Sequence, residues 1–330
     1  MDFNCRPRAK ILLTGGTGFV GKALLRHILS TESHSVARIT VLTRKPDQFL
    51  HTNPEFSGHQ VVKFFKGDML KLDTLPWDYH FTHVVHAAAV SATGPRLTPW
   101  QQYNHIVDGT RNILSLAVIT GARRFLLTSS GAIYGPQPVN LTAISEDHLG
   151  CPPLCDSRTA YGQAKRAAEH LCALCSEANG LESVIARCFT FVGPDLPLKA
   201  HFAIGNFIHD ALTADTITVA SDGTPLRTYL DQTDLAKWLL TLLMCGRSGH
   251  AYNVGSNKVI SIADLAHLVR DILAPDKPVK ILGSPDESAI RSRYVPDIRK
   301  AQQELGLKIN VALTESIQKT GEAFRHLYDP

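Results

Sequence analysis

Residues 12–25 read LLTGGTGFVGKALL: an apolar run, three glycines spaced three apart, and then a helical pattern. Gly15, Gly18 and Gly21 form G-x-x-G-x-x-G between an expected strand and an expected helix. Glycine here lets the turn tighten, lets the backbone approach a pyrophosphate and lets the helix start pack on a sheet. The helix N-terminus adds amide donors and positive partial charge. Gly15, Thr17, Gly18, Phe19, Val20 and Gly21 are therefore the expected pyrophosphate cradle. Tight turns also use glycine, and it is the strand before and the helix after that favour a dinucleotide.

Working outward, strand-like apolar runs recur as KILLTGG (10–16), RITVLTR (38–44), VVKFFKGDM (61–69), HVVHAAA (83–89), RRFLLTSS (123–130) and SVIARCF (183–189). Each is nearly continuously apolar, as a strand covered on both faces requires. GKALLRHIL (21–29), the 100–120 region and YGQAKRAAEHLCALCSEANG (161–180) read as helices between them. This alternation predicts an α/β, Rossmann-type doubly wound parallel sheet. The polar or glycine-rich ends GGTG, TRK, GDM, HAAA, TSSG and FTFVGP should then line one rim, where such sheets bind ligands. Residues 1–193 are the expected NAD(P)-binding domain. From 194 to 330 the alternation weakens into a smaller substrate-binding α/β domain, with some segments returning to the sheet.

Composition narrows the function. A chain of 330 residues with 44% apolar content buries a large core, and a formal charge of +4 with no basic run interleaved with aromatics gives nucleic-acid binding no support. The N-terminus lacks a signal-like apolar stretch and no run is long enough to span a bilayer, so a soluble cytoplasmic protein is expected, with no membrane partner. Seven cysteines suit a reducing compartment. Cys151, Cys155, Cys172 and Cys175 have a spacing that invites zinc, but Cys172 and Cys175 fall in a helical stretch where small apolar residues serve the core, and no metal is expected.

The second strand ends Leu42-Thr43-Arg44-Lys45. An NAD-selective fold carries an acid near this place for the ribose 2′-hydroxyl. No acid is present, and Arg44 can pair with a 2′-phosphate while Lys45 adds charge. NADP(H) is favoured and NAD(H) allowed, the alternative being a solvated turn. Asp68 can accept from the adenine amino group or cap its own turn. Met69, Ala87 and Ala88 join it as expected cofactor neighbours at strand ends.

Tyr161 and Lys165 stand four apart on one helix, so their side chains share a face. A phenol is a poor base at neutral pH, but an adjacent ammonium stabilises the phenolate. Ser130 ends the fifth strand and can bond the oxygen that Tyr161 protonates, or satisfy loop backbone instead.

With these residues in view, the chain resembles the extended short-chain dehydrogenase/reductases that act on nucleotide sugars, including their epimerases, dehydratases and reductases. The resemblance runs through the glycine motif, GDM, HAAA, TSSGAIYG, Tyr161-x-x-x-Lys165, RCFTFVGP, GNFI, PLRTYLDQTDLA, YNVGS and LGLKINVALTESIQKT. It implies that Tyr161 is the acid/base, Ser130 its partner on the sugar oxygen, and Lys165 the residue that binds nicotinamide ribose and tunes Tyr161. It also implies that Asn206 and Phe207 contact the nucleotide half of the substrate and that Arg227 pairs with its diphosphate, a group that needs a fixed cation. Asn206 as a cap and Arg227 as a surface ion pair are the alternatives.

Departures from the family shape the expectation. Its 4,6-dehydratases carry an acidic pair after the strand-five hydroxyl, where this chain has Gly131 and Ala132. Neither transfers a proton, so C4 epimerisation or 4-keto reduction is expected, with Arg44 tilting towards reduction. Ile106 stands where the family places an asparagine, unless Asn104 substitutes through a shifted register; Thr190 and Val192 replace an asparagine and a tyrosine. Glu146 and His148 precede the catalytic helix in a loop and either face the sugar or are solvated. The rival readings are a catalytically silent dinucleotide-binding sensor or scaffold, and a reductase of non-sugar ketones. The two long helices flanking strand five offer a homodimer surface.

Overall fold

The computed structural model describes residues 8–30, 35–88, 97–198, 200, 202–284 and 291–325. Its first part runs β1 (Ala9–Thr14), α1 (Phe19–Ser30), β2 (Val36–Thr43), α2 (Pro46–Thr52), β3 (Val62–Lys66), β4 (His83–His86), α3 (Pro99–Ile119), β5 (Arg124–Ser130), α4 (Ala160–Asn179) and β6 (Glu182–Cys188). The remainder runs β7 (Phe191–Val192), α5 (Ala203–Thr213), β8 (Ile217–Val219), β9 (Leu226–Thr228), β10 (Leu230–Asp231), α6 (Gln232–Cys245), β11 (Ala251–Val254), β12 (Val259–Ser261), α7 (Ile262–Leu273), β13 (Val279–Ile281), α8 (Arg299–Leu305) and α9 (Leu313–Arg325).

All six strands expected from the sequence lie in one parallel sheet of order β11-β6-β5-β4-β1-β2-β3. The seventh, β11, comes from YNVGS, a stretch with too little apolar length to announce a strand. Side-chain alternation splits the core in two. Ile11, Leu13, Leu126, Val184 and Ala186 pack with α1 and α6 on one face, whereas Leu12, Val84, Phe125, Leu127 and Ile185 pack with α3 and α4 on the other. Cys172 is buried in that second layer with Cys175 against it, as the helical reading of these cysteines requires. Thr98 caps α3 with a capping box to Gln101 and Pro99 in the first turn, and Gly180 ends α4 in a left-handed conformation at φ 69°.

The chain runs outward from β1 to β3 and then returns to start β4 on the other side of β1. The crevice at that reversal is where a doubly wound sheet accepts ligands. Above it sits a third apolar cluster built from α5, α7, β8 and Ile317 of α9. Two devices tie it down. Asp195 accepts ion pairs from Lys22 at 2.9 Å and Arg26 at 3.0 Å, both on α1. A strap across residues 292–297 bonds β9 at one end, Tyr294 N to Leu226 O at 3.1 Å, and the loop before α4 at the other, Ile144 N to Val295 O at 2.9 Å.

Candidate active site

Every chemically marked strand end falls on the carboxyl rim of the sheet, so the segments singled out in the sequence meet along one edge. In the first loop the three glycines have different reasons to be glycine. Gly15 has φ +72°, and a Cβ on it would stand 2.6 Å from the Ala87 carbonyl and the Ala88 nitrogen. The loop therefore nests under the β4 extension, where Ala87 N and Ala88 N donate to Thr14 O and Thr14 Oγ1, each at 3.2 Å. A Cβ on Gly21 would strike the Gly15 carbonyl and the Gly16 backbone. Gly18 is different: it is exposed, and the nearest neighbour of its notional Cβ is Gly15 O at 3.5 Å. Nothing in the protein's own packing forbids a side chain there. The open cradle over Gly18, with Thr17 beside it and Phe19 and Val20 opening α1, fits a diphosphate held on amides at a helix start.

At the far side of the crevice Arg44 and Lys45 are exposed immediately beyond β2. Arg44 makes no ion pair with a described residue. Asp68 caps its own turn, accepting from Leu70 N at 3.0 Å through Oδ1, which leaves Oδ2 available. Met69 is buried against Gly109 of α3, and Asn112 donates to its carbonyl at 2.9 Å. Ile106 is core.

Ser130, Tyr161 and Lys165 meet at the ends of β5, β6 and α4. Lys165 is 2% exposed; its Nζ donates to Thr128 O at 2.7 Å and lies 5.9 Å from the Tyr161 ring centre. An ammonium has three protons, so two remain for a ligand. Burial pulls its pKa down to about 8, with Cys188 and Glu169 opposing. Burial likewise pushes the Tyr161 phenol up to about 12, against a lowering contact with the Ser130 hydroxyl. The sequence suggested a lowered phenol; desolvation wins because the ammonium is spent on a backbone carbonyl instead of on the phenol oxygen. Ser130 also does what its structural alternative required, accepting from Ala132 N at 3.1 Å.

Two further phenols, which no local motif announces, join this group. Tyr294 arrives on the strap, its ring 4.6 Å from that of Phe189, and its hydroxyl contacts Ser130. Arg227 acts on Tyr294 and Tyr229, and burial pushes both phenols up. Arg227 is a half-buried cation bonded to neutral oxygens, Leu226 O at 2.8 Å and Ser292 Oγ at 3.4 Å. Asn206 is exposed on α5 and turns its amide to Leu198 O at 3.0 Å and Ala200 O at 2.8 Å. Phe207 is 3% exposed in the third apolar cluster. Thr190 donates to Thr228 O, and Val192 is core. Glu146 accepts from Asn253 N at 2.6 Å and, with His148, lines a separate cleft of about 370 Å³ beside Arg166, Glu169, His170 and Arg187.

Comparison with known proteins adds the lineage. UDP-glucuronic acid decarboxylase 6 of Arabidopsis thaliana is 30% identical over 319 residues, covering 96% of this chain and 89% of that protein. UDP-glucose 4-epimerase of Thermotoga maritima, solved with UDP-glucose, superposes with a TM-score of 0.82 at 21% identity over 97% of this chain and all of its own, 100%. RMD from Pseudomonas aeruginosa, complexed with NADPH, gives 0.77 at 23% identity, covering 97% of both chains. No helix among the described residues is long and apolar enough to cross a membrane. The family model for the NAD dependent epimerase/dehydratase family matches residues 11–255, and the chain belongs to that family.

Proposed function

We propose that the protein is an NADP(H)-preferring enzyme, with NAD(H) permitted, that works at C4 of a nucleotide-diphosphate sugar by 4-keto reduction or C4 epimerisation. The observation that carries the reading is the meeting of Ser130, Tyr161 and Lys165 beside an open glycine cradle on one rim of the sheet. In this reading Gly15, Thr17, Gly18, Phe19, Val20 and Gly21 hold the cofactor diphosphate, and Arg44 its 2′-phosphate. Asp68 and Met69 border adenine, the Ala87 and Ala88 backbone closes the crevice, and the two spare Lys165 protons serve the nicotinamide ribose. Arg227 takes the substrate diphosphate, with Asn206 bordering the nucleotide half and Phe207 backing it from the core. The nicotinamide, when bound, supplies or accepts the hydride at C4.

The chain's own part is the proton. A phenol held at about 12 keeps its proton at neutral pH, the form needed to protonate a C4 ketone as it is reduced. Ser130 bonds the same oxygen, and Lys165 stabilises the phenolate left behind. The decarboxylase relatives favour a second reading within the same chemistry. In a uronic acid a C4 ketone is β to the C6 carboxylate, so the C5–C6 bond breaks, its electron pair passes to the enolate, carbon dioxide leaves and C5 takes up a proton.

The test is a panel: 4-keto nucleotide sugars with NADPH or NADH, and UDP-glucose and UDP-glucuronic acid with the oxidised cofactors, read by absorbance, carbon dioxide release and product configuration. Turnover of a 4-keto sugar or a change at C4 is expected, with carbon dioxide from UDP-glucuronic acid marking the second reading. Tyr161→Phe should lower turnover about 100-fold or more with cofactor affinity unchanged. Full activity in that variant would remove Tyr161 from its role.

A further inference from the structure

A serine hydroxyl has one proton to give and two lone pairs to fill. At Ser130 one lone pair takes the Ala132 amide at 3.1 Å. We propose that Tyr294 is a positioning residue for the reaction: its phenol fills the second lone pair of Ser130 from the space that Gly131 leaves open, so that the Ser130 proton is aimed at the oxygen served by Tyr161. This inference rests on the C4 reading above and adds to it a residue from outside the catalytic strand and helix.

The geometry is specific. A Cβ on Gly131 would stand 2.6 Å from Tyr294 Oη and 2.8 Å from Phe189 Cζ, so the glycine makes room for this phenol. The ring rests on Phe189 with centres 4.6 Å apart. The backbone on either side is fastened to both parts of the molecule: Tyr294 N to Leu226 O at 3.1 Å, and Val295 N to Gln137 Oε1 at 2.9 Å. Ser130 contacts both phenols, Tyr161 and Tyr294. Their tasks differ because their neighbours differ. Tyr161 has the Lys165 ammonium on its own helix, whereas Tyr294 is kept neutral by burial and remains a donor. The strap thus returns a polar group to a strand end where Gly131 and Ala132 offer none.

The experiment compares Tyr294→Phe, Ser130→Ala, their combination and Tyr161→Phe on the nucleotide sugar turned over fastest in the panel above. Tyr294→Phe keeps the ring and its stacking, so the thermal midpoint and cofactor affinity should not move. The expected result is a fall in kcat of about tenfold, the worth of one hydrogen bond, with KM little changed. The kcat–pH limb that reports Tyr161 should shift to higher pH, because the phenolate loses an aimed donor. In the Ser130→Ala background the same substitution should cost nothing further. An unchanged kcat and pH limb, a loss that persists in full without Ser130, or a kcat loss that tracks a falling thermal midpoint would each overturn the assignment. If Tyr161→Phe itself stays active, the C4 reading falls and this inference with it; an inactive Tyr161→Phe beside an unaffected Tyr294→Phe refutes the inference alone.

Discussion

Gly18→Ala and Gly21→Ala add the same methyl group three residues apart and should do opposite things. At Gly18 the methyl meets Gly15 O at 3.5 Å, an ordinary contact, and the backbone is not left-handed. Folding stability should stay within about 0.5 kcal/mol of the parent. The added group does, however, occupy the cradle that a diphosphate would enter. Displacing the phosphate from one amide removes a hydrogen bond to a charged group, about 1.5–3 kcal/mol, or roughly 10- to 150-fold in Kd. At Gly21 the methyl would run into the Gly15 carbonyl and Gly16 backbone, which cannot swing aside as a side chain can. Overpacking of this kind costs about 1–3 kcal/mol, a fall in Tm of about 2–4 °C per kcal/mol. Thermal melts and calorimetric titration with NADP+ and NAD+ separate the two variants. If Gly18→Ala binds either dinucleotide as the parent does, the loop is not the phosphate cradle.

Two other perturbations test different parts of the argument. Arg44→Asp reverses an exposed charge beside the proposed 2′-phosphate; at the high effective dielectric of such a site the change is about 2 kcal/mol, so the NADPH-to-NADH affinity ratio should fall about 30-fold, and equal weakening of both cofactors would refute the assignment. His86 is held neutral by burial, its pKa lowered to about 3, and bridges Thr14 Oγ1 at 2.7 Å and Thr110 Oγ1 at 3.2 Å. Because the folded pKa lies below the unfolded value near 6.5, the unfolded chain takes up the proton first; stability is whole above about pH 6.5 and declines by about 1.4 kcal/mol per unit towards pH 3. Denaturant titrations at pH 7.5 and 5 should show that slope, and His86→Gln should flatten it; a variant with the parent's slope would place the acid sensitivity elsewhere.

The parallel sheet was legible because a strand buried on both faces must be apolar almost throughout, a signal carried by β1 to β6 without reference to the rest of the chain. β11 escaped it: Ala251–Val254 is four residues long and is made a strand by pairing with β6. The Tyr161–Lys165 pair was legible for a similar local reason, since four residues along a helix fix a shared face. The direction of the Tyr161 shift was not, because it depends on where the Lys165 ammonium spends its proton, a backbone carbonyl on another element. Tyr294 lies far along the chain from Ser130 and reaches it through the strap, so no spacing in the sequence connects them. Asn206 and Phe207 entered by resemblance; their observed partners, two carbonyls and an apolar cluster, follow from how α5 seats on the segment before it.

The late arrival of β11 bears on how the molecule is made. A ribosome releases β1 to β6 well before residue 251, and until then the outer edge of β6 exposes unpaired amides and carbonyls, with Trp238 and the other α6 residues of the first core layer still unsynthesised. Such an edge is a template for another chain. Fragments ending between β6 and β11 should therefore self-associate during expression, and chains extended past Val254 should not.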